Sequence, residues 1–450
     1  MATSVSEFST DLYLEHLEEA SRLHDQRQAY LHDPECRWPE LENWEQRLEA
    51  HIDALVVGGK PALEVCRQQA AEGDAGELHA ALCVFCRQDR KEDALAVLKA
   101  LDPSDEEKVR AASQALRCEA PAGWRDDLLR LFQGDHQHLT HVLARVIGYR
   151  RFAYEEPLAR ALAAKPAFGT ADIAWALGRV GSRRSVPVLW QLLDCDNETA
   201  REAASIALLR LGDSRALERA MVAAREHSWA RRVLGIGGGP ASVRLLLDIL
   251  ERQGADEDTV VALGLLGDLA AVWPLLHLLT DDAASGPAAV ALNTITGAAL
   301  YSDVFVPDEF DPDELLEEER EAYERDGTLP TRSGQPYGRR QRGPLRDRAD
   351  WRAWLEKNRH RFRPDVRWRM GQPYGPSAVL DSLSCDTSPY VVRSASYEEL
   401  VVRYGLDVPF EVELRVRQQQ RILDRIREWV AARTGALADG RWCLGGCVQA

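Results

Sequence analysis

The chain has 450 residues, 45% of them hydrophobic, so it can bury a large core. Its 56 Lys and Arg stand against 72 Asp and Glu, and the net charge of −16 argues against a main role in binding nucleic acid, because affinity for phosphates needs a dense basic face. The first residues lack a secretory signal, and the most apolar window, residues 260–279, is interrupted by glycines and Pro274. We therefore expect a cytoplasmic protein with no membrane segment and with nine reduced cysteines.

The N-terminal part, residues 1–69, is predicted to be a helical cap. Apolar spacing indicates one helix at about residues 12–30 and a second at about 41–57. In the second helix, Leu48, Ile52 and Leu55 make one apolar face. We expect this face to cover the open end of whatever follows it.

A repeat occupies residues 70–299. A pair of the Ala-Leu type recurs at intervals of 26–34 residues, and its eight copies lie at 81–82, 115–116, 146–147, 176–177, 207–208, 233–234, 262–263 and 291–292. In the clearest copy, apolar residues at three- and four-residue spacing make two amphipathic helices, with Pro187 in the first turn of one and Gly212 after the other. Each hairpin leaves an apolar face that only the next hairpin can cover, which predicts a stacked, all-α solenoid.

Residues 262–276, which read Ala-Leu-Gly-Leu-Leu-Gly-Asp and end in Val-Trp-Pro-Leu-Leu, resemble the short HEAT-like repeats of the phycobilisome-lyase type. The resemblance covers about residues 70–297 and implies an alpha-alpha superhelix. It is specific for the fold and implies no activity.

Charge changes abruptly after the repeat. Residues 308–326 carry 11 acids against two arginines, and residues 332–369 carry 13 cations against four acids. Successive blocks of opposite charge favour mutual docking or a charged partner surface. The simpler expectation for residues 300–350 is a charged, acidic and then basic linker, made of a solvated helix and a loop rich in glycine and proline. Residues 351–450 are predicted to be a helical C-terminal module, with helices at about 351–360, 397–404 and 412–432.

Two pairs of cysteines have spacings that redox or metal chemistry uses. Cys83 and Cys86 fall within a predicted repeat helix, where buried structural thiols are the expected state. Cys443 and Cys447 leave a tail disulfide or half of a metal site open, but no histidine lies nearby.

Two other motifs have ordinary structural explanations. His136, His138 and His141 form the densest imidazole cluster, yet a solvated helix start explains them better than a metal site, and we expect no bound metal. The glycines at 235–239 imitate a dinucleotide loop, but they follow a helix and precede Pro240, so we expect the turn between two repeats and no cofactor. No catalytic residues are predicted.

Tryptophan and arginine in the repeats are the candidate partner-binding residues, because both side chains often anchor protein interfaces. The ten candidates are Trp175, Arg179, Arg183, Arg184, Trp190, Arg201, Arg210, Trp229, Arg231 and Trp273. The same residues, together with Arg215 and Arg232, could also form the basic, aromatic ridge of a HEAT-type DNA glycosylase. An enzyme acting on nucleic acid or on a tetrapyrrole adduct is therefore an alternative, which the acidic net charge disfavours.

The flanks suggest a narrower resemblance. Residues 16–29 and 47–55, the late Arg-Trp-Arg-Met-Gly-Gln-Pro at 367–373, Glu398-Glu399-Leu400 and Gln418-Gln419 resemble a conserved hypothetical bacterial family encoded in type VI secretion gene clusters. The resemblance implies a setting and no chemistry. We expect a non-enzymatic scaffold that binds another protein, such as a secretion effector or a spike-associated component, as adaptor or chaperone. An immunity protein that covers a secreted toxin is the alternative, since acidic charge suits a basic toxin.

Overall fold

The computed structural model describes residues 5–134, 136–307, 310, 315–329, 334–433 and 440–449. Within these ranges the protein is mainly helical, and its strands form three separate two-stranded pairs. The all-α prediction is confirmed. Among the described residues no helix is both long and apolar enough to cross a membrane.

Eight helical hairpins stack along the chain, and each contains one of the eight Ala-Leu-type pairs in its second helix. We call the first helices of the hairpins outer helices and the second ones inner helices. The outer helices are α3 (Gly59–Glu72), α5 (Lys91–Ala100), α7 (Arg125–Gln133), α9 (Glu155–Ala163), α11 (Val186–Leu192), α13 (Arg215–Ala223), α15 (Pro240–Gln253) and α17 (Val272–Leu278). The inner helices are α4 (Ala75–Arg87), α6 (Glu106–Glu119), α8 (Thr140–Arg150), α10 (Thr170–Val180), α12 (Glu198–Arg210), α14 (Ser228–Gly237), α16 (Glu257–Leu266) and α18 (Ser285–Thr296).

Glycine and alanine bring successive inner helices together. A Cβ atom added at Gly178 would lie 2.8 Å from the Cα of Ala207, and one at Gly235 would lie 2.9 Å from the Cα of Ala262. Each inner helix packs against the next one, whereas the outer helices other than α5 contact mainly their own inner helix. Helix α5 contacts α3 and α4. The inner layer is therefore the more closely spaced, which bends the stack so that the inner helices line its concave side.

The boundaries of the clearest repeat agree with its local signals. Pro187 lies in the first turn of α11, and the side chain of Asn197 caps α12 by accepting a hydrogen bond from the N–H of Ala200 at 2.8 Å. Gly212 follows α12 with a φ of +82°. Gly238 and Gly239 form the predicted turn between α14 and α15, whereas Gly235 and Gly237 lie in the last turn of α14.

The N-terminal flank consists of α1 (Val5–His32) and α2 (Leu41–Val57), which pack against each other and against α4. A buried ion pair joins them, because Arg27 donates from Nε to Oε1 of Glu45 at 2.8 Å. The first hairpin begins at Gly59, earlier than the predicted boundary at residue 70, because α3 packs against α4 as its outer partner.

The range predicted as a charged linker contains a β-ribbon. Strand β1 (Tyr301–Pro307) pairs antiparallel with β2 (Gly338–Pro344), and the acidic helix α19 (Glu317–Asp326) lies between them in the chain. The expectation of only a helix and a loop was wrong for these strands, since strand pairing across more than thirty residues leaves no local periodic signal. The acidic residues at 308, 309, 311, 313 and 314 and the cation at 332 lie outside the described residues.

The C-terminal module contains helices α20 (Arg348–Asn358), α21 (Pro376–Ser384), α22 (Tyr390–Tyr404) and α23 (Val416–Ala431). Short strand pairs β3 (Trp368–Arg369) with β4 (Gln372–Pro373), and β5 (Cys443–Leu444) with β6 (Cys447–Val448), complete it. Helix α22 is longer than the predicted 397–404, and it packs against the inner helices α12, α14 and α16. The module thus folds back onto the concave side of the repeats.

Backbone hydrogen bonds from residues 368–371 close the ends of the last two inner helices. Trp368 donates its N–H to the carbonyl of Gly267 at 2.7 Å, and Met370 donates to that of Thr294 at 2.7 Å. The Arg369 guanidinium donates to the carbonyl of Leu265 at 2.6 Å. These carbonyls lie at or beyond the ends of α16 and α18, where helices have no internal donors left for their last C=O groups.

A buried charge cluster holds the same segment inside the module. Arg369 donates from Nη2 to Oε2 of Glu399 at 2.6 Å, and both side chains are fully buried. The hydroxyl of Tyr374 also donates to Glu399. Arg403 reaches from the module to the repeats by donating to the carbonyl of Gly238 at 3.1 Å.

We predict that G297A destabilises the protein more than G405A. Both glycines end a helix at positive φ, +59° and +73°, so a Cβ costs each about 1 kcal/mol. Only at Gly297 would that atom also meet backbone, 2.3 Å from the Met370 carbonyl oxygen, which adds roughly 2 kcal/mol. Urea unfolding of both variants gives the comparison, and equal losses of stability would show that residues 368–371 do not press on the end of α18.

Candidate protein-binding surface

Three inner helices each direct a buried arginine at the C-terminal module. We call Arg117 of α6, Arg179 of α10 and Arg210 of α12 the arginine ladder. Their side chains are only 3–6% exposed. Because a buried guanidinium needs a partner for its charge, the ladder requires carboxylates on the facing surface.

The carboxylates come from α22 and from the loop at residues 405–415 that follows it. Arg179 donates to Oε1 of Glu411 at 2.6 Å and to Oε1 of Glu398 at 3.1 Å. Arg210 donates to the other oxygen of Glu398 at 2.7 Å. Glu413 pairs with Arg117. The module is therefore bound to the repeats through one or two carboxylates at each arginine of the ladder.

Charges of the opposite sign continue the contact toward the N-terminus. Arg415 pairs with Glu119 at 3.0 Å and with Glu49, and Arg417 donates to Glu42 at 2.8 Å. Val412, Leu414 and Val416 alternate with these charged residues along the chain and are buried in the apolar core of the module. The loop thus presents charge to the repeats and apolar groups to the module.

These ion pairs shift the pKa values of the buried Glu398 and the partly buried Glu413. Burial alone would raise the pKa of Glu398, but Arg210 and Arg179 outweigh it and lower the pKa. For Glu413, burial again acts upward, while Arg117 and Arg145 lower the pKa to about 2. Both groups are therefore ionised at neutral pH.

The structure places three of the ten predicted residues together on the concave side. The ring of Trp175 lies under the guanidinium groups of Arg179, at 3.7 Å from the ring centroid, and of Arg145, at 4.5 Å. Trp175, Arg179 and Arg210 all line the same cavity there. Arg179 and Arg210 are already occupied by the chain's own carboxylates.

The other seven predicted residues are dispersed. Arg201 lies over the buried ring of Trp229 at 5.6 Å, and Arg231 pairs with Asp256 at 2.7 Å, so these residues join neighbouring repeats. Trp190, on the outer helix α11, donates from Nε1 to Asp213 at 2.9 Å. The remaining three are the exposed Arg183 and Arg184, in the short turn before α11, and Trp273, which is 55% exposed on α17.

Two adjoining cavities open beside the ladder. The first, of about 290 Å³, lies between the inner helices α10, α12, α14 and α16 and helix α22, and we call it the anchor cavity. The second, of about 930 Å³, runs across the starts of α10 and α12 and along α6 and α8, and we call it the cleft. Arg145 and Glu413 line both, so the two spaces are neighbours.

Sequence reasoning missed the residues that complete this surface. Arg117 and Arg145 lie in the repeats but outside the ridge that was predicted, and Glu398, Glu411 and Glu413 lie in the module. One signal was available, since charged residues alternate with apolar ones from Glu411 to Arg417. Such alternation marks a segment with one charged side and one apolar side.

The structure places the two cysteine pairs in a helix and in a strand pair. Cys83 and Cys86 are buried thiols in α4, and burial raises the pKa of Cys86 to about 12. In the β5 and β6 pair, Cys443 is opposite Val448 and Cys447 is opposite Leu444, so the two thiols point to opposite faces and are free. Among the described residues no three His, Cys, Asp or Glu side chains gather as metal ligands.

The surface combines arginines, neutral hydrogen-bonding groups and an apolar recess, which are the elements of a polypeptide-binding site. Searches of family models, curated proteins and solved structures find no match to this chain. The assignment of the surface therefore depends on its geometry.

We predict that E413Q lowers stability at neutral pH by about 3 kcal/mol, because it leaves Arg117 buried without its counter-charge. The pKa of Glu413 is lowered from 4.5 to about 2 on folding, so its contribution is complete above pH 4.5 and is lost as the pH falls toward 2. The urea midpoints of wild type and E413Q should therefore converge in that window. E92Q, an exposed change on α5, serves as control, and a constant gap between wild type and E413Q would contradict the prediction.

Proposed function

We propose that the protein is a non-enzymatic scaffold that binds another protein on its concave side. The observation that carries the proposal is the cleft of about 930 Å³, which continues the face that already holds the chain's own module. A solenoid offers equivalent positions at every repeat, so a face that binds one polypeptide segment through paired charges can bind a second one beside it.

The setting of this activity is proposed from the resemblance of the flanks to the type VI secretion family. In that setting the protein works in the cytoplasm as an adaptor or chaperone, and it holds a secretion effector or a spike-associated component. The residues behind the resemblance include Arg367, Arg369, Glu398, Glu399 and Gln419. All five are buried where the module joins the repeats or inside the module.

A pull-down with matched variants tests the proposal. Tagged wild type from the native host's cytosol should retain a partner at near-equal stoichiometry, identified by mass spectrometry. A171W, which places a large ring in the cleft, should lose at least nine-tenths of that partner. A163W, the same change on an exposed position of the outer helix α9, should retain it.

Two outcomes would contradict the proposal: wild type that elutes alone, or a partner that A171W and A163W retain equally. Expression of the captured protein in cells then separates the possible roles. An effector that is secreted only when this chain is present indicates an adaptor. A toxin whose killing this chain prevents indicates the immunity alternative.

A further inference from the structure

The anchor cavity is lined by apolar side chains and by charged side chains that already form ion pairs within the protein. Ala203, Ile206 and Val261 of the inner helices and Val391 and Ala395 of α22 supply apolar lining. The space has room for an inserted apolar group from outside the chain.

The charged groups around the anchor cavity need no further partner. Arg232 pairs with Glu202 and with Asp258, each at 2.7 Å, and Arg210 pairs with Glu398. A cavity of 150 Å³ accepts benzene, so about 290 Å³ has room for one larger ring, on the order of an indole. Its chemistry therefore favours an aromatic or large aliphatic side chain over a charged ligand.

The cleft next to it suits an extended backbone. It crosses four inner helices, α6, α8, α10 and α12, whose axes at a usual spacing of ~9 Å span ~27 Å, or about eight extended residues. Part of its polar lining is uncharged and can both donate and accept hydrogen bonds, as an extended chain requires: Gln28, Ser104, Ser113, Gln114, Thr170, Asn197 and Thr199. Gln28 and Gln114 also hydrogen-bond to each other.

One exposed arginine of the cleft is available to a carboxylate of the occupant. Of the three acids in the lining, Asp172 and Glu413 are paired with Arg145 and Arg117, and Glu106 precedes Arg110 by one turn of α6. Arg110 is exposed and forms no ion pair with any described residue, and Nε2 of His141 is buried without a hydrogen-bond partner. An acidic side chain of a bound segment would have Arg110 as its counter-charge.

We propose that the partner is recognised through an extended segment of about eight residues that inserts one aromatic or large aliphatic side chain into the anchor cavity and directs a carboxylate at Arg110. This inference rests on the proposed function and specifies what the partner must carry. The cleft binds the backbone of the segment, and the anchor cavity selects the segment by its apolar side chain.

Peptides displayed on phage test the proposal without knowledge of the partner. Nine-residue libraries selected on the full-length protein should enrich peptides with one aromatic or large aliphatic residue and at least one acid. The affinity of a selected peptide is then measured by fluorescence anisotropy. A203F and S394L, which fill the anchor cavity from opposite walls, should each weaken binding at least tenfold, whereas A163F on the outer face should not.

Two charge-reversal variants test the contribution of Arg110 to peptide binding. R110E should weaken binding about tenfold and reduce its salt dependence. R244E makes the same change at an exposed position of the outer helix α15 and should leave both unchanged. Thermal melting of every variant confirms that it folds, and the two cavity variants provide independent readouts if one of them does not.

Three results would overturn the inference: no enriched peptide, peptides that bind A203F and S394L as tightly as wild type, or saturable binding of indole alone where peptides fail. Its failure can be told from failure of the proposed function. If the partner captured from cytosol stays bound to A203F and S394L but is lost from A171W, the scaffold stands and the anchor cavity is not its recognition element.

Discussion

Two neighbouring carboxylates of α22, Glu398 and Glu399, fix this helix in place, one against the repeats and one within the module. Glu398 points to the repeats and binds Arg179 and Arg210, whereas Glu399 points into the module and binds Arg369. All of these groups are buried, so removal of any one would leave an uncompensated charge in the interior. The position of α22 on the inner helices, and with it the shape of the concave side, depends on this pair.

Because the module is part of the same chain, it occupies the arginine ladder at a high effective concentration, and an external ligand cannot easily displace it. The loop around Glu413 divides the concave side into the occupied ladder and the open cleft. Partner binding is therefore proposed beside the module and not in its place. The module also forms one wall of the anchor cavity, so it contributes to the site as well as limiting it.

The repeats could be predicted closely because their signals are local. Helix spacing, Pro187 and Gly212 act within one or two turns, and the small residues at each Ala-Leu pair predict close contact with the next hairpin. The flanks were predicted less well. The ribbon of β1 and β2 was missed, and the first half of α22 lacked a clear pattern because α22 is buried on several sides and shows no single apolar face.

The sequence by itself determined a stack of eight helical hairpins and a set of tryptophans and arginines within them. Only the tertiary structure decided which arginines are available. Arg179 meets Glu411 from 232 positions further along the chain, and Arg210 meets Glu398 from 188 positions further. Helices form through contacts a few residues apart, which a periodic pattern records, whereas ion pairs depend on where distant segments dock, which no local pattern encodes.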